Sequence, residues 1–440
     1  MNKLDILLLC NRPAKNAGAS TFIDHLDAFI NFSQHNFYCL SFLGKLPRKL
    51  DLHRFDIIVI HYSVFLSFSS EYFLNSQSRQ RIRDFPGLKV LFVQDEYRGV
   101  NAVIENMKSM RIHVLFTCVP DGEIEKVYPS KALPGLRKIN TLTGYAPKAL
   151  VTRDVLRIKD RPIDVGYRTR KLPYWLGELG YEKIQIAEKF VAHAADAGLR
   201  LDISYQESRR IYGEKWIDFV SSCKVMLGTE SGASVFDFSG ELEQIVSRYE
   251  QEHPEAGFAE IQEKFLRPYE GKVRLNQISP RCFEAAALRT AMLLYEGDYS
   301  GILKPWRHYI PLNKDFSNIE EVIRILRDDE KLQSIADCAF AEIAQNPEYG
   351  YEKFMSDFDR VVGEEVSAVQ MPSTRRRYTK SLYYLHLVLS LSYLLARIGS
   401  MLLQHLVMGT PLRRILYDVW DGISLEKRRA IRPLLRIMGK

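Results

Sequence analysis

Arg281 and Glu284 stand at the start of an alanine-rich apolar segment, where Ala or Leu would pack better. The stretch from Asn276 to Gly297 reads NQISPRCFEAAALRTAMLLYEG. Ser279 supplies an N-cap hydroxyl, and Pro280 suits the first helical position because its φ is fixed and its absent N–H would have had no helical partner. Ile278 and Phe283 can staple that start. A helix N-terminus carries unpaired N–H groups and about half a positive charge, which together attract an anion such as a diphosphate. Arg281 adds a planar, permanently charged donor. Glu284, one turn further in, can accept two hydrogen bonds from a vicinal diol. The competing reading is an i,i+3 ion pair on an exposed helix start.

Two other clusters suit the same chemistry. GTESGASVFDFSGE, residues 228–241, follows the strand-like run CKVMLG. Gly232 there lets backbone approach a ligand closely, and Glu230, Ser231 and Ser234 can hydrogen-bond it; an ordinary Gly-rich connector is the plainer alternative. GYRTRK, residues 166–171, closes another strand with Arg168, Arg170 and Lys171. It reads either as a diphosphate contact or as a solvated basic loop. Earlier in the chain, VQDEYR puts Asp95 and Glu96 at a strand's carboxyl end, where a general base would deprotonate an acceptor hydroxyl. His61, after FDIIVI, is a third candidate base, although a histidine in that setting is more often a satisfied core residue. The Asp-x-Asp of SDFDR, residues 356–360, lies in a helical stretch and reads as a solvated face. No metal and no cofactor is required by these residues.

The elements that must hold these groups alternate. Apolar runs at residues 4–10, 37–43, 55–62, 88–94 and 112–119 are separated by helix-length segments, the pattern of a parallel sheet covered on both faces. The pattern restarts near Pro162 with IDVGYRTR, LRLDIS, CKVMLG, TAMLLYEG and HYIPL. The expectation is an α/β chain of two doubly wound, Rossmann-like domains facing a cleft. Residues 1–161 form the acceptor side, and 162–362 the donor side with a charged helical insertion at about 241–267. Residues 363–440 form a basic, apolar helical tail. Ligands of open α/β sheets sit beyond the carboxyl ends of the strands, where the residues named above lie.

The 440 residues carry a formal charge of +7, with 46% hydrophobic and 26% charged residues. Six scattered cysteines show no metal-ligand spacing and read as buried thiols of a reducing, cytoplasmic compartment. From Ser373 to Lys440 there are 13 Lys/Arg and 3 Asp/Glu, leaving a body of 48 basic and 51 acidic residues. The near-neutral body argues against a nucleic-acid partner. The tail, with apolar runs bordered by Arg clusters, suits an anionic membrane surface contacted through residues 373–440; a hairpin packed on the protein is the alternative.

The run SPRCFEAAALRTAMLLYEGDYSGILKPWRHYIPLNKDFSNIEEVIRILRDDEKLQSIADCAFAEI resembles the C-terminal half of GT-B glycosyltransferases of the group 1 type. The likeness implies that Glu284 grips the ribose of a nucleotide-sugar, with Arg281, Ser279 and the 230–234 loop around it. It also implies that Arg168, Arg170 and Lys171 touch the diphosphate. The family's E-x7-E pattern is broken: eight residues before Glu284 stands Asn276, a neutral hydrogen-bonder. The implied activity is metal-independent transfer of a sugar to a polysaccharide or lipid-linked saccharide acceptor at the inner membrane face. A nucleotide-sugar epimerase, or a binding protein that has lost turnover, are the rival readings.

Overall fold

Each strand forms where a short apolar run is bounded by turn residues, and each connection is long enough to carry a helix. The computed structural model describes residues 3–13, 20–67, 70–369 and 377–390. Six parallel strands make the first sheet: β1 (Asp5–Cys10), β2 (Asn36–Ser41), β3 (Ile57–Ile60), β4 (Leu88–Val93), β5 (Val114–Thr117) and β6 (Arg137–Asn140), in the order β2-β1-β3-β4-β5-β6. Five more make the second: β7 (Ile163–Arg168), β8 (Leu201–Ser204), β9 (Cys223–Gly228), β10 (Ala291–Tyr295) and β11 (Ile310–Leu312), in the order β11-β10-β9-β7-β8. Only β6 went unread in the sequence: RKIN is a short polar edge strand with no apolar signal.

Period-2 alternation splits each strand between two cores. In β1, Leu7 and Leu9 pack with Ile58 and Leu115 on one face, and Ile6 and Leu8 pack with Phe29 and Phe92 on the other. The second sheet is covered in the same way.

Two segments cross between the domains. The helix Tyr351–Val366 returns to the first sheet, burying Phe354, Phe358 and Val362 against Ile6 and Leu8. Its Asp359, expected on a solvated face, is buried and accepts hydrogen bonds from Ser33 Oγ at 2.7 Å and Gln34 N at 2.8 Å. The residues around the charged insertion also reach across. Asp237 N donates to Tyr97 O at 2.8 Å, Gly99 N to Asp237 O at 2.8 Å, and Phe236 and Leu275 enter the first domain's core.

Most of the basic tail lies outside the described residues. The part described is a helix, Lys380–Val388, capped by Thr379. It packs on the first domain through Tyr378, Tyr383 and Leu387, with Tyr38 Oη donating to Tyr378 O at 2.8 Å. For these residues the packed alternative holds, because the tyrosines complete a core around Phe55. No helix among the described residues is long and apolar enough to cross a membrane.

Candidate functional site

A cavity of about 470 Å³ opens between the carboxyl ends of the two sheets. Its second-domain wall is the helix Pro280–Ala287, the ends of β7 and β9, and the loop Arg210–Gly213. Ser279 stands at the N-cap position, but its hydroxyl does not cap the helix as expected: it makes no capping hydrogen bond and lines the cavity with Arg281 and Glu284. The helix start is therefore free for an anion, as its sequence suggested.

Glu284 is buried. Its Oε2 accepts from Trp216 Nε1 at 2.7 Å, and its Oε1 accepts from Thr21 Oγ1 of the first domain at 3.3 Å. Burial raises its pKa, opposed by the Trp216 N–H, the Arg281 charge and the Thr21 hydroxyl. Arg281 lies 5.0 Å from the centre of the Trp216 ring and donates to the Arg168 carbonyl at 2.6 Å. The i,i+3 ion pair does not form: each side chain is occupied elsewhere at the cavity wall.

Glu230 faces away from the cavity. Its carboxylate accepts from Asp298 N at 3.1 Å, Tyr299 N at 2.8 Å and Asn276 Nδ2 at 2.6 Å. This explains the broken pattern: a second glutamate at 276 would meet the Glu230 carboxylate, whereas the Asn276 amide satisfies it. Both residues are thus brackets for the β10–β11 connection. Gly232, at φ 112°, is required because a Cβ there would sit 1.7 Å from the Leu275 carbonyl oxygen. Ser234 Oγ accepts from Leu179 N at 3.1 Å, holding a helix start away from the cavity. Of residues 228–241, Gly228, Thr229 and Ser231 line it.

The basic cluster divides as well. Arg168 lines the cavity but is bound bidentately to Asp202, both contacts at 2.8 Å, and lies over Phe219, so its charge is used within the domain. Lys171 sits over Tyr174 and does not line the cavity. Arg170 does line it, with a residue the sequence did not single out, Lys183 on the helix Glu178–His193. Burial lowers the Lys183 pKa to about 8, assisted by Arg281 and opposed by Asp95. Lys183 and Trp216 occupy ordinary amphipathic-helix positions, so nothing local distinguishes them from packing residues.

On the first-domain wall, Asp95 alone of the three candidate bases opens into the cavity. It adopts φ 60°, a left-handed turn that aims consecutive carboxylates in opposite directions. Asp95 keeps accessible surface at the cavity, hydrogen-bonds the Tyr97 hydroxyl and faces Lys183 and Arg170. The surrounding protein raises its pKa despite those three groups. Glu96 points into the domain, where Thr117 Oγ1, Cys118 N at 3.0 Å and Tyr128 Oη at 3.2 Å donate to it. Burial pushes its pKa up to about 8. His61 is fully buried, with Nε2 3.0 Å from His25 Nδ1 and Nδ1 2.9 Å from Ser63 Oγ. Neither residue lines this cavity: His61 is enclosed in the interior, and Glu96 is held by three donors beside an adjoining pocket. A further carboxylate, Asp24, lies near Glu284, and burial with that charge raises its pKa to about 7. Among the described residues no cluster of His, Cys, Asp and Glu could hold a metal ion.

The sequence matches no family model and no curated protein. Its fold does have solved counterparts. An alpha-glucosyltransferase in complex with UDP-glucose and DNA containing an abasic site aligns with 82% of this chain and 100% of its own, at TM-score 0.50 and 12% identity. A structure of T4 phage BGT with its UDP-glucose substrate covers 83% and 97%, at TM-score 0.43 and 10% identity. HepE from Anabaena in complex with UDP-glucose covers 83% and 100%, at TM-score 0.41 and 10% identity. The first likeness shows the fold: this chain has the GT-B glycosyltransferase architecture. It also corrects the inference that a near-neutral body rules out nucleic acid, since that enzyme of the same fold is bound to DNA in its structure. Contact with a nucleic acid needs a local set of donors, and the net charge of a whole body does not report one.

Proposed function

We propose that the protein is a glycosyltransferase that takes a sugar from a nucleoside-diphosphate sugar. The observation that carries this is the cavity itself: an uncapped helix start bearing Arg281 and Glu284 faces a carboxylate, Asp95, across the two-domain cleft. The base would lie along Arg210–Gly213 and the ribose hydroxyls on Glu284. The diphosphate would lie at the helix start with Arg281 and Lys183. Preorganised positive charge there stabilises the leaving diphosphate without needing a metal. Asp95 acts as general base. It takes the acceptor proton as the acceptor oxygen bonds the anomeric carbon, and the bond to phosphate breaks with its electron pair leaving on the diphosphate. One displacement inverts the anomeric centre.

UDP-glucose is the first donor to test, by thermal shift and then by release of UDP in buffer containing EDTA. No stabilisation by any nucleotide-sugar would remove the donor site; a product that retains configuration would remove Asp95 as direct base. A place at the cytoplasmic membrane face and a lipid-linked acceptor are the finer part of the proposal. They are supported by Leu385 and Leu389, which stand exposed on and just after the helix of the basic tail, and vesicle flotation checks them.

A further inference from the structure

Asp95 sits on a short turn between β4 and the helix Val100–Met110, with left-handed residues at both ends: Asp95 itself at φ 60° and Gly99 at φ 63°. That helix start has no side-chain cap. Its N–H groups are met from the second domain instead. Gly99 N donates to Asp237 O at 2.8 Å, and Asn101 N to Phe238 O at 3.0 Å. Asp237 N returns the contact to Tyr97 O at 2.8 Å, so a short parallel bridge joins Arg98 to Asp237. Arg98 also grips the Glu243 carboxylate with two nitrogens. Tyr97 is thereby held at three points. Its carbonyl is bound by Asp237, its ring lies 6.1 Å from that of Trp175 in the second domain, and its hydroxyl donates to the Asp95 carboxylate.

The loop on the far side of this bridge is itself fixed. Asp237 is buried, and its carboxylate accepts from Gly240 N at 2.6 Å and Glu243 N at 2.8 Å, closing the turn into the helix Glu241–Glu252. Phe236, one residue earlier, is buried in the first domain's core. A bridge that is rigid on both sides transmits position. The loop belongs to the domain that holds Arg281 and Glu284, and the turn belongs to the domain that holds Asp95. Resting on the reading of Asp95 as base, we propose that Asp237 is a positioning residue, which sets Asp95 against the donor wall through Tyr97. The segment leading into the charged insertion thereby supplies a register between base and donor that two separately folded domains would otherwise lack. Its contribution is to the placement of the carboxylate, since Asp237 itself keeps its side chain on its own loop.

The test uses the full chain and measures hydrolysis of UDP-glucose, with water as acceptor, beside UDP-glucose affinity by calorimetry. Asp237→Ala unties the loop and should lower kcat about tenfold to a hundredfold, the scale of a small misplacement, while donor affinity stays within about threefold. Asp237→Asn keeps a side-chain oxygen for one of the two N–H groups and should restore most of the rate. Should Asp237→Ala fold poorly, Tyr97→Phe carries the test, because it keeps the ring and removes only the hydroxyl. Asp95 is faced by Lys183 and Arg170 from the second domain, and by Tyr62, Glu96, Tyr97 and Cys118 from the first. Of these only Tyr97 changes. The Asp95 carboxylate then loses a donor, so the acidic limb of the kcat profile should move up by about one pH unit. A purely structural clasp would leave that limb in place. A Tyr97→Phe profile like that of the wild type overturns the inference. So does an Asp237→Ala variant that keeps its kcat, or one that loses donor affinity as much as kcat. Wild-type protein that neither binds nor turns over UDP-glucose, or an Asp95→Asn variant with undiminished turnover, would instead sink the reading on which the inference rests.

Discussion

On the second-domain wall of the cleft, Ser279, Arg281 and Glu284 all reach the cavity that their positions in the sequence implied. On the first-domain wall, only Asp95 of the three expected bases does so; His61 is buried in the interior and Glu96 is held by three donors. The difference lies in the backbone that carries them. A helix start fixes the direction of its own first-turn side chains and N–H groups, so local sequence is enough. A strand end sends successive residues to opposite sides, and one left-handed residue decides which carboxylate meets the ligand. The glutamates of the second domain teach the same lesson: Glu284 serves the cavity and Glu230 braces a loop, although both follow small-residue or capping signals.

The sharpest way to break this contrast is at Asp95. Asp95→Asn should lower kcat on the order of 10³-fold, the scale of a lost general base, with donor affinity within threefold of wild type by calorimetry. Equal turnover in the variant would leave the first-domain wall without a catalytic group. Next in size is Asn276→Glu, which restores the family pattern on paper. Because Asn276 Nδ2 is 2.6 Å from Glu230 Oε2, the substitution should cost roughly 3 kcal/mol by burying an unpaired charge. Adding Glu230→Gln should recover most of it in chemical denaturation. An unchanged single variant would show that the bracket is not rigid.

Glu284→Ala removes two charge-assisted contacts, each worth about 1.5–3 kcal/mol. Donor binding should weaken tenfold to several hundredfold, and tight binding in that variant would displace the ribose site. Lys183 gives a smaller effect with a pH signature. Its pKa is lowered to about 8, so it is charged below that value and neutral above it. UDP affinity of the wild type should fall as pH rises from 7 to 9. Lys183→Met should be about tenfold weaker at pH 7 and lack that component of the fall.

The smallest effect concerns Glu96. Its carboxyl titrates near 4.5 when unfolded and at about 8 in the fold, so the folded state holds its proton longer. Its contribution is therefore full below about pH 4.5 and declines as pH rises towards 8. Glu96→Gln fixes the neutral form, so its Tm should decline less than that of the wild type between pH 5.5 and 8, with turnover nearly unchanged. Asp24, also raised, contributes in the same sense to both proteins and cancels in the comparison. A variant that loses turnover like Asp95→Asn would return Glu96 to the mechanism.

Much of the architecture was legible because parallel strands buried on both faces leave continuous apolar runs. Ten of the eleven strands were read from the sequence, most on that signal; β6 lacks it, since its backbone pairs at an edge with polar side chains. The helix-length segment between β3 and β4 forms as two helices, Ser70–Phe73 and Ser76–Arg83, because the Asn75 side chain caps Ser78 N and starts the second. The site was legible where a local backbone feature made it and opaque where distant elements met. Lys183, Trp216 and Thr21 are unremarkable in their own helices and become site residues only when the second domain's helices and the first domain's wall close on Glu284 and Asp95.

The sequence by itself determined the two parallel sheets, the position of an anion-seeking helix start, and the placement of its reactive groups at strand and helix ends. Those follow from period, capping chemistry and backbone polarity, which act within a few residues. Tertiary structure decided which carboxylate faces the cleft, why residue 276 is an amide, and where the chain's last described helix belongs. Those outcomes depend on which groups become neighbours after folding. A buried carboxylate must find donors and a buried ring must find a core, and only the folded chain supplies either.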